Sequence, residues 1–290
     1  MDFGKVADHE LEGIDFNLPP DPEWNTQILK SGNKPFDFRL GAAKWGRQEW
    51  VGSLYPKGTT ESQFLDEYVK RFNYLELSST FYQIPRPEQL KLWGGKAAGH
   101  DIIVNIKMSQ QITHNKRFLN CQSELSAYFG AISEFGSQLG RIWIQASDSL
   151  GVSEVDNVLN LLNTLPSEYR YFVEFRNSEL FSDKVNFKGI VDFLSANRIG
   201  LIITDTAGRR DLVHMTLTVP ETMIRFVGNN DHPSEFKRLE SWAERINDWL
   251  SQGIETVYFG YDQHDYSNYP RDYKTAKEIF ASAGLLTEST

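Results

Sequence analysis

Glu174 and Arg176 stand two residues apart in Phe172-Val173-Glu174-Phe175-Arg176-Asn177, a run that reads as the end of a β-strand. Side chains two apart share a face of an extended chain. A carboxylate and a guanidinium so placed either pair with each other or present the guanidinium fork to a ligand's carboxylate or phosphate. Tyr74-Leu75-Glu76-Leu77 carries a second carboxylate between two leucines, and Val104-Asn105-Ile106-Lys107 ends in a cation. An isolated buried charge is very costly, so Glu76 requires a partner, and Lys107 is the expected one. Two readings stay open for that pair: a structural ion bridge, or two groups that shift each other's pKa beside a cleft.

Further polar residues fall at the ends of other apolar runs. Ile112-Thr113-His114-Asn115-Lys116-Arg117 joins a histidine to two cations, which suits proton transfer or an anion, although a loop histidine can equally be solvated surface. Gln145 closes the fourth run, Asp205 the sixth, Arg225 lies in the seventh, and Asp262 follows the eighth. Lys44 and Trp45 follow the first, and Tyr82 follows the second. The expected catalytic set is Glu76, Lys107, Glu174 and His114. Lys44, Trp45, Tyr82, Gln145, Arg176, Asp205, Arg225 and Asp262 would bind substrate.

These residues need a scaffold that gathers strand ends. The strand candidates are Phe36–Gly41, Tyr74–Leu77, Ile102–Ile106, Arg141–Ile144, Tyr171–Phe175, Leu201–Thr204, Met223–Val227 and Thr256–Phe259. Helical spacing falls between or after them, over Glu61–Arg71, Pro87–Trp93, Ser123–Phe135, Val155–Leu162, Phe187–Ala196, Phe236–Leu250 and Arg271–Ala283, with a short or irregular helix in Ala207–His214. Parallel neighbours need crossover connections, and eight strand–helix repeats over about 250 residues predict an α/β fold, a single (β/α)₈ barrel. An open doubly wound sheet is the alternative, but no Gly-x-Gly-x-x-Gly or Walker-type loop supports it. Residues 1–34, with Pro19-Pro20, Pro22 and Ser31-Gly32-Asn33, read as an irregular extension over the outside of a barrel domain spanning 35–290. A short helix is expected in it near Trp24–Leu29.

The chain resembles the YecE-like family, an uncharacterised group (domain of unknown function 72), over roughly residues 38–283. The likeness rests on Leu40-Gly41 to Trp45, Trp50 with Gly52, Tyr55-Pro56, Phe72-Asn73 to Glu76, and Ser79-Thr80-Phe81-Tyr82 with Pro85. It continues through Lys107, Ile112-Thr113-His114, Gln145 and Glu174-Phe175-Arg176. It implies a TIM-barrel fold and no established activity. The chain departs from the family pattern at Arg225-Phe226-Val227-Gly228, at Phe259-Gly260-Tyr261-Asp262 and at Ala146-Ser147-Asp148.

Composition narrows the function. A formal charge of −9 disfavours broad attraction to nucleic acid or anionic membrane, and no apolar run is long enough for a membrane helix. A single cysteine, Cys121, leaves no internal disulfide and no multi-cysteine zinc site. With no visible signal peptide, a cytoplasmic protein is expected. No organic cofactor is predicted, although Glu76, Glu174 and Asp205 would suit an oxygen-ligated magnesium or manganese ion. Three functions remain. The first is an enzyme using general acid–base chemistry on a small anionic or polyhydroxylated substrate. The second is an endonuclease-like barrel with a basic rim of Lys116, Arg117, Arg209 and Arg210 and base-stacking Trp45, Trp50, Phe81 and Tyr82. The third is a non-catalytic binding protein.

Overall fold

Runs such as Gly200-Leu201-Ile202-Ile203-Thr204 are apolar on both faces, as strands covered by helices outside and by side chains within must be. In the computed structural model, which describes residues 3–230 and 232–286, eight parallel strands close in sequence order into a barrel. They are β1 (Asp37–Ala42), β2 (Tyr74–Leu77), β3 (Ile103–Lys107), β4 (Leu139–Gln145), β5 (Arg170–Glu174), β6 (Gly200–Asp205), β7 (Glu221–Val227) and β8 (Thr256–Asp262). β8 runs three residues beyond its predicted end, so Asp262 is its last residue.

The α-helices are α1 (Asp8–Leu11), α2 (Asn25–Leu29), α3 (Phe64–Tyr68), α4 (Ser79–Tyr82), α5 (Pro87–Ala97), α6 (Gln122–Ile132), α7 (Val155–Leu162), α8 (Glu179–Ser182), α9 (Lys184–Ala196), α10 (Pro233–Gln252) and α11 (Tyr269–Ser282). α5, α10 and α11 begin with a proline in the first turn, where its missing N–H costs nothing. The predicted Glu61–Arg71 helix splits into a 3₁₀ turn and α3. After β6 only the 3₁₀ turn Arg210–Leu212 forms. No described helix is long and apolar enough to cross a membrane.

Alternation along each strand divides the core in two. Residues such as Leu75, Ile106, Ile144, Val173, Ile203, Phe226 and Phe259 pack outward against the helices. The barrel interior begins with a separate cluster of Tyr74, Trp143, Phe172, Ile202, Met223 and Tyr258. Two residues further along the strands the interior turns polar: Glu76, Lys107, Gln145, Glu174, Thr204 and Arg225 form the next layer, all buried. Lateral order follows from register, which sets Gln145 beside Glu174, Thr204 beside Arg225, and Arg225 beside Gly260.

The N-terminal segment does more than cover the outside. Asp21 accepts from Arg245 and from the Trp249 indole of α10, and Asn25 bonds the backbone of Met215 and Leu217. Phe3 and Gly4, however, reach the loops after β5 and β6 at the strand ends.

Candidate active site

Glu174 is the most heavily bonded group of the polar layer. Its Oε1 accepts from Arg176 Nε at 2.8 Å and Thr204 Oγ1 at 2.8 Å, with Arg225 Nη1 at 3.5 Å. Its Oε2 accepts from Gln145 Nε2 at 2.6 Å and the Trp143 indole at 3.1 Å. Burial pushes this carboxyl upward, but the charges of Arg176, Arg225 and Lys107 and the Gln145 bond outweigh it, holding the pKa well below the usual range. Glu174 is therefore a fixed anion.

Glu76 lies in a poorer environment. Arg225 Nε donates to its Oε2 at 3.2 Å, while Oε1 has no hydrogen-bond partner among the described residues. Burial raises its pKa to about 7. Arg225 opposes the rise, and the negative charges of Asp262 and Glu174 add to it. The carboxylate fits because position 260 is glycine: a Cβ there would lie 1.9 Å from Oε1. The expected partner was Lys107, and the structure corrects this to Arg225, whose guanidinium spans Glu76 and Glu174. Lys107 instead donates to Gln145 Oε1 at 2.9 Å and sits 4.0 Å from the Phe81 ring and 4.4 Å from Trp143. Burial, reinforced by Arg225, holds its pKa well below that of a free lysine.

His114 stands at the edge of this group, half-buried, its ring edge-on to Phe81 and its Nδ1 2.8 Å from Thr113 Oγ1. Burial and then the charges of Lys107 and Arg176 lower its pKa to about 4, so it is a neutral hydrogen-bonding group near pH 7 rather than a group titrating there. Arg176 is 8% exposed, and its Nη2 has no partner among the described residues. Two groups therefore reach inward with unused capacity: an acceptor oxygen on Glu76 and a donor nitrogen on Arg176.

Asp262 and Lys44 lie nearby. Asp262 takes a hydrogen bond from Tyr266, and its charge acts on Glu76 and Lys44, whose ammonium sits 4.9 Å over the Tyr266 ring. Trp45 turns aside to pack edge-on against Trp93, and Tyr82 is 62% exposed. Asp205 does not join the layer. It points outward to Arg210, Arg238 and the Trp242 indole, because Thr204, one residue earlier, occupies the inward position. Glu76, Glu174 and Asp205 therefore share no face, and no group of three or more His, Cys, Asp or Glu among the described residues is placed to hold a metal.

The anticipated basic rim is paired: Lys116 with Glu124, Arg117 with Glu154, Arg209 with Asp211 and Asp148, and Arg210 with Asp205. Trp50 is fully buried, stacked on Tyr269 and Phe72, and presents no face to a base. Sequence reasoning missed Trp143 and Thr204. Trp143 is two residues from Gln145 on its own strand, so alternation could have found it; Thr204 follows a run apolar on both faces, which carries no such signal. A groove of about 920 Å³ lies elsewhere, between the Val69–Asn73 stretch and α11, and includes none of these interior residues.

Two Escherichia coli proteins, both called UPF0759 protein YecE, from strain K12 and from O157:H7, are each 25% identical to the chain over 228 residues, covering 72% of it and 81% of the relative. Two crystal structures of a DUF72 family protein from Enterococcus faecalis V583 share the fold. One has a TM-score of 0.64 at 16% identity, covering 87% of this chain and 96% of the other. The second has a TM-score of 0.62 at 15% identity, covering 86% and 99%. The family model described as a protein of unknown function, DUF72, matches residues 39–287, which include every strand end of the polar layer, and the chain belongs to that family.

Proposed function

We propose that this protein is a cytoplasmic enzyme that binds a small anionic or polyhydroxylated substrate at the strand ends and uses Glu76 as general acid or base. The observation that carries the reading is the contrast between two buried carboxyls in one network: Glu76 titrates at about 7, while Glu174 stays ionised far below that. Neighbouring carboxyls whose environments drive their pKa values apart are suited to separate acid–base roles. Glu76 can hold or release a proton near neutral pH, and its buried Oε1, without a hydrogen-bond partner among the described residues, is the atom that would exchange it with substrate. Glu174 would orient Arg176 and Arg225 and balance their charge.

The charge balance supports an anionic ligand. With every group ionised, Lys44, Lys107, Arg176 and Arg225 stand against Glu76, Glu174 and Asp262, one positive charge in excess, and protonating Glu76 raises the excess further. The spare Nη2 of Arg176 would be the donor for a carboxylate or phosphate, with Lys107 and His114 near enough for the Arg176 charge to act on both. No resident organic cofactor is needed for such proton transfer. Among alternatives, the pairing of Lys116, Arg117, Arg209 and Arg210 with carboxylates disfavours a nucleic-acid rim.

A thermal-shift screen of a metabolite mixture should return acids that raise the melting temperature of the wild type and not of Arg176→Ala, because binding to the native state alone stabilises it. Turnover of such an acid should disappear in Glu76→Gln while binding persists. A screen in which no acid binds, or a hit turned over equally by Glu76→Gln, would remove the proposal.

A further inference from the structure

We infer that the segment Phe3–Val6 is a removable cover on the site, which keeps Arg176 from ligand until it lifts. The Phe3 ring lies 3.8 Å from the Arg176 guanidinium carbon and 5.6 Å from that of Arg209. Arg209 is itself fixed, donating to the Arg176 carbonyl at 2.5 Å and pairing with Asp211 and Asp148. Next to Phe3, the Gly4 carbonyl accepts from the Gly208 amide at 2.8 Å and from Thr206 Oγ1 at 3.1 Å. The fit is specific to glycine: Gly4 has φ +70°, and a Cβ there would fall 2.3 Å from the Thr206 side chain. Lys5 continues toward the loop after β8, where its charge acts on Asp265.

Two features make this segment a cover rather than part of the barrel. Among the described residues it is held by the Phe3 ring against Arg176 and Arg209, by two hydrogen bonds to the Gly4 carbonyl and by the charge of Lys5 on Asp265. It carries no helix or strand before α1, and precedes residue 39, where the family match begins. The ring also leaves its partner incomplete. An aromatic face attracts a guanidinium but offers no in-plane acceptor, so Arg176 Nη2 has no hydrogen-bond partner among the described residues. A carboxylate or phosphate would supply that acceptor, so ligand and Phe3 compete for the same cation. The chemistry of the competitor rests on the anion-binding reading; the cover does not.

Modification of Arg176 by phenylglyoxal, located by peptide mass spectrometry, tests this. Phe3→Ala removes the ring, and Gly4→Val forces the segment off Thr206. Both should react at Arg176 at least about tenfold faster than wild type, with circular dichroism unchanged. In the wild type, the Gly208 amide should exchange its hydrogen at least about a hundredfold faster than the Ala146 amide, which bonds the Glu174 carbonyl inside the sheet. Equal modification rates in all three proteins, or a Gly208 amide as protected as Ala146, would overturn the cover. Inorganic phosphate should slow the modification in Phe3→Ala. Fast modification that phosphate does not slow would leave the cover standing and remove the anion-binding reading.

Discussion

The β5 side and the β2 side of the barrel interior hold chemically identical carboxyls in opposite states. Around Glu174, the indole of Trp143, the amide of Gln145, the hydroxyl of Thr204 and two guanidinium groups converge on both oxygens. Around Glu76 there is one guanidinium, and Oε1, packed close to Gly260, has no donor among the described residues. Both groups are buried, so burial does not distinguish them; the number of donors does. A carboxylate kept from water is an anion only where the protein replaces its hydration.

That contrast can be broken at its stronger end. Glu174→Gln removes the anion on which Arg176, Arg225 and Lys107 depend, and stranding buried cations costs about 3–5 kcal/mol. Urea denaturation should show a loss of that size; stability equal to wild type would mean that Glu174 does not anchor the layer.

The weaker end responds to pH. Between the ordinary carboxyl value of 4.5 and about 7, folded Glu76 keeps a proton that the unfolded chain has released, so stability falls as pH rises through that window. The difference amounts to about 3 kcal/mol by pH 8. Glu76→Gln cannot pay this cost, so relative to wild type it should gain stability from pH 4 to pH 8 by roughly that amount. Parallel pH profiles for the two proteins would place the Glu76 pKa at its ordinary value.

The smallest change sharpens the count of donors. Thr204→Val removes one hydrogen bond from Glu174 and leaves the others, and should cost about 1 kcal/mol with no change in the titration of Glu76. A Glu76 pKa that moved with Thr204→Val in a carboxyl NMR titration would show that the two sides are coupled.

The barrel was legible because eight β-rich runs recur with helical spacing between them, and the inward direction of Glu76, Lys107, Gln145, Glu174 and Arg225 followed from alternation. Alternation fails where both faces are apolar. In β6 nothing in Leu201-Ile202-Ile203 marks the inside, and Asp205 was assigned inward although Thr204 holds that position. Pairing across the barrel was also hidden. Glu76 and Arg225 are 149 residues apart, and only closure of the sheet brings them within 3.2 Å. The role of Phe3 left no trace in sequence, because a ring against a guanidinium has no spacing or pattern of its own.

The apolar cluster of Tyr74, Trp143, Phe172, Ile202, Met223 and Tyr258 plugs the barrel on the side away from the strand ends. The polar layer above it is therefore a cul-de-sac with an apolar floor. Under the proposed acid–base reading, whatever reaches Glu76 enters and leaves by the strand-end mouth, so passage through that mouth would bound turnover.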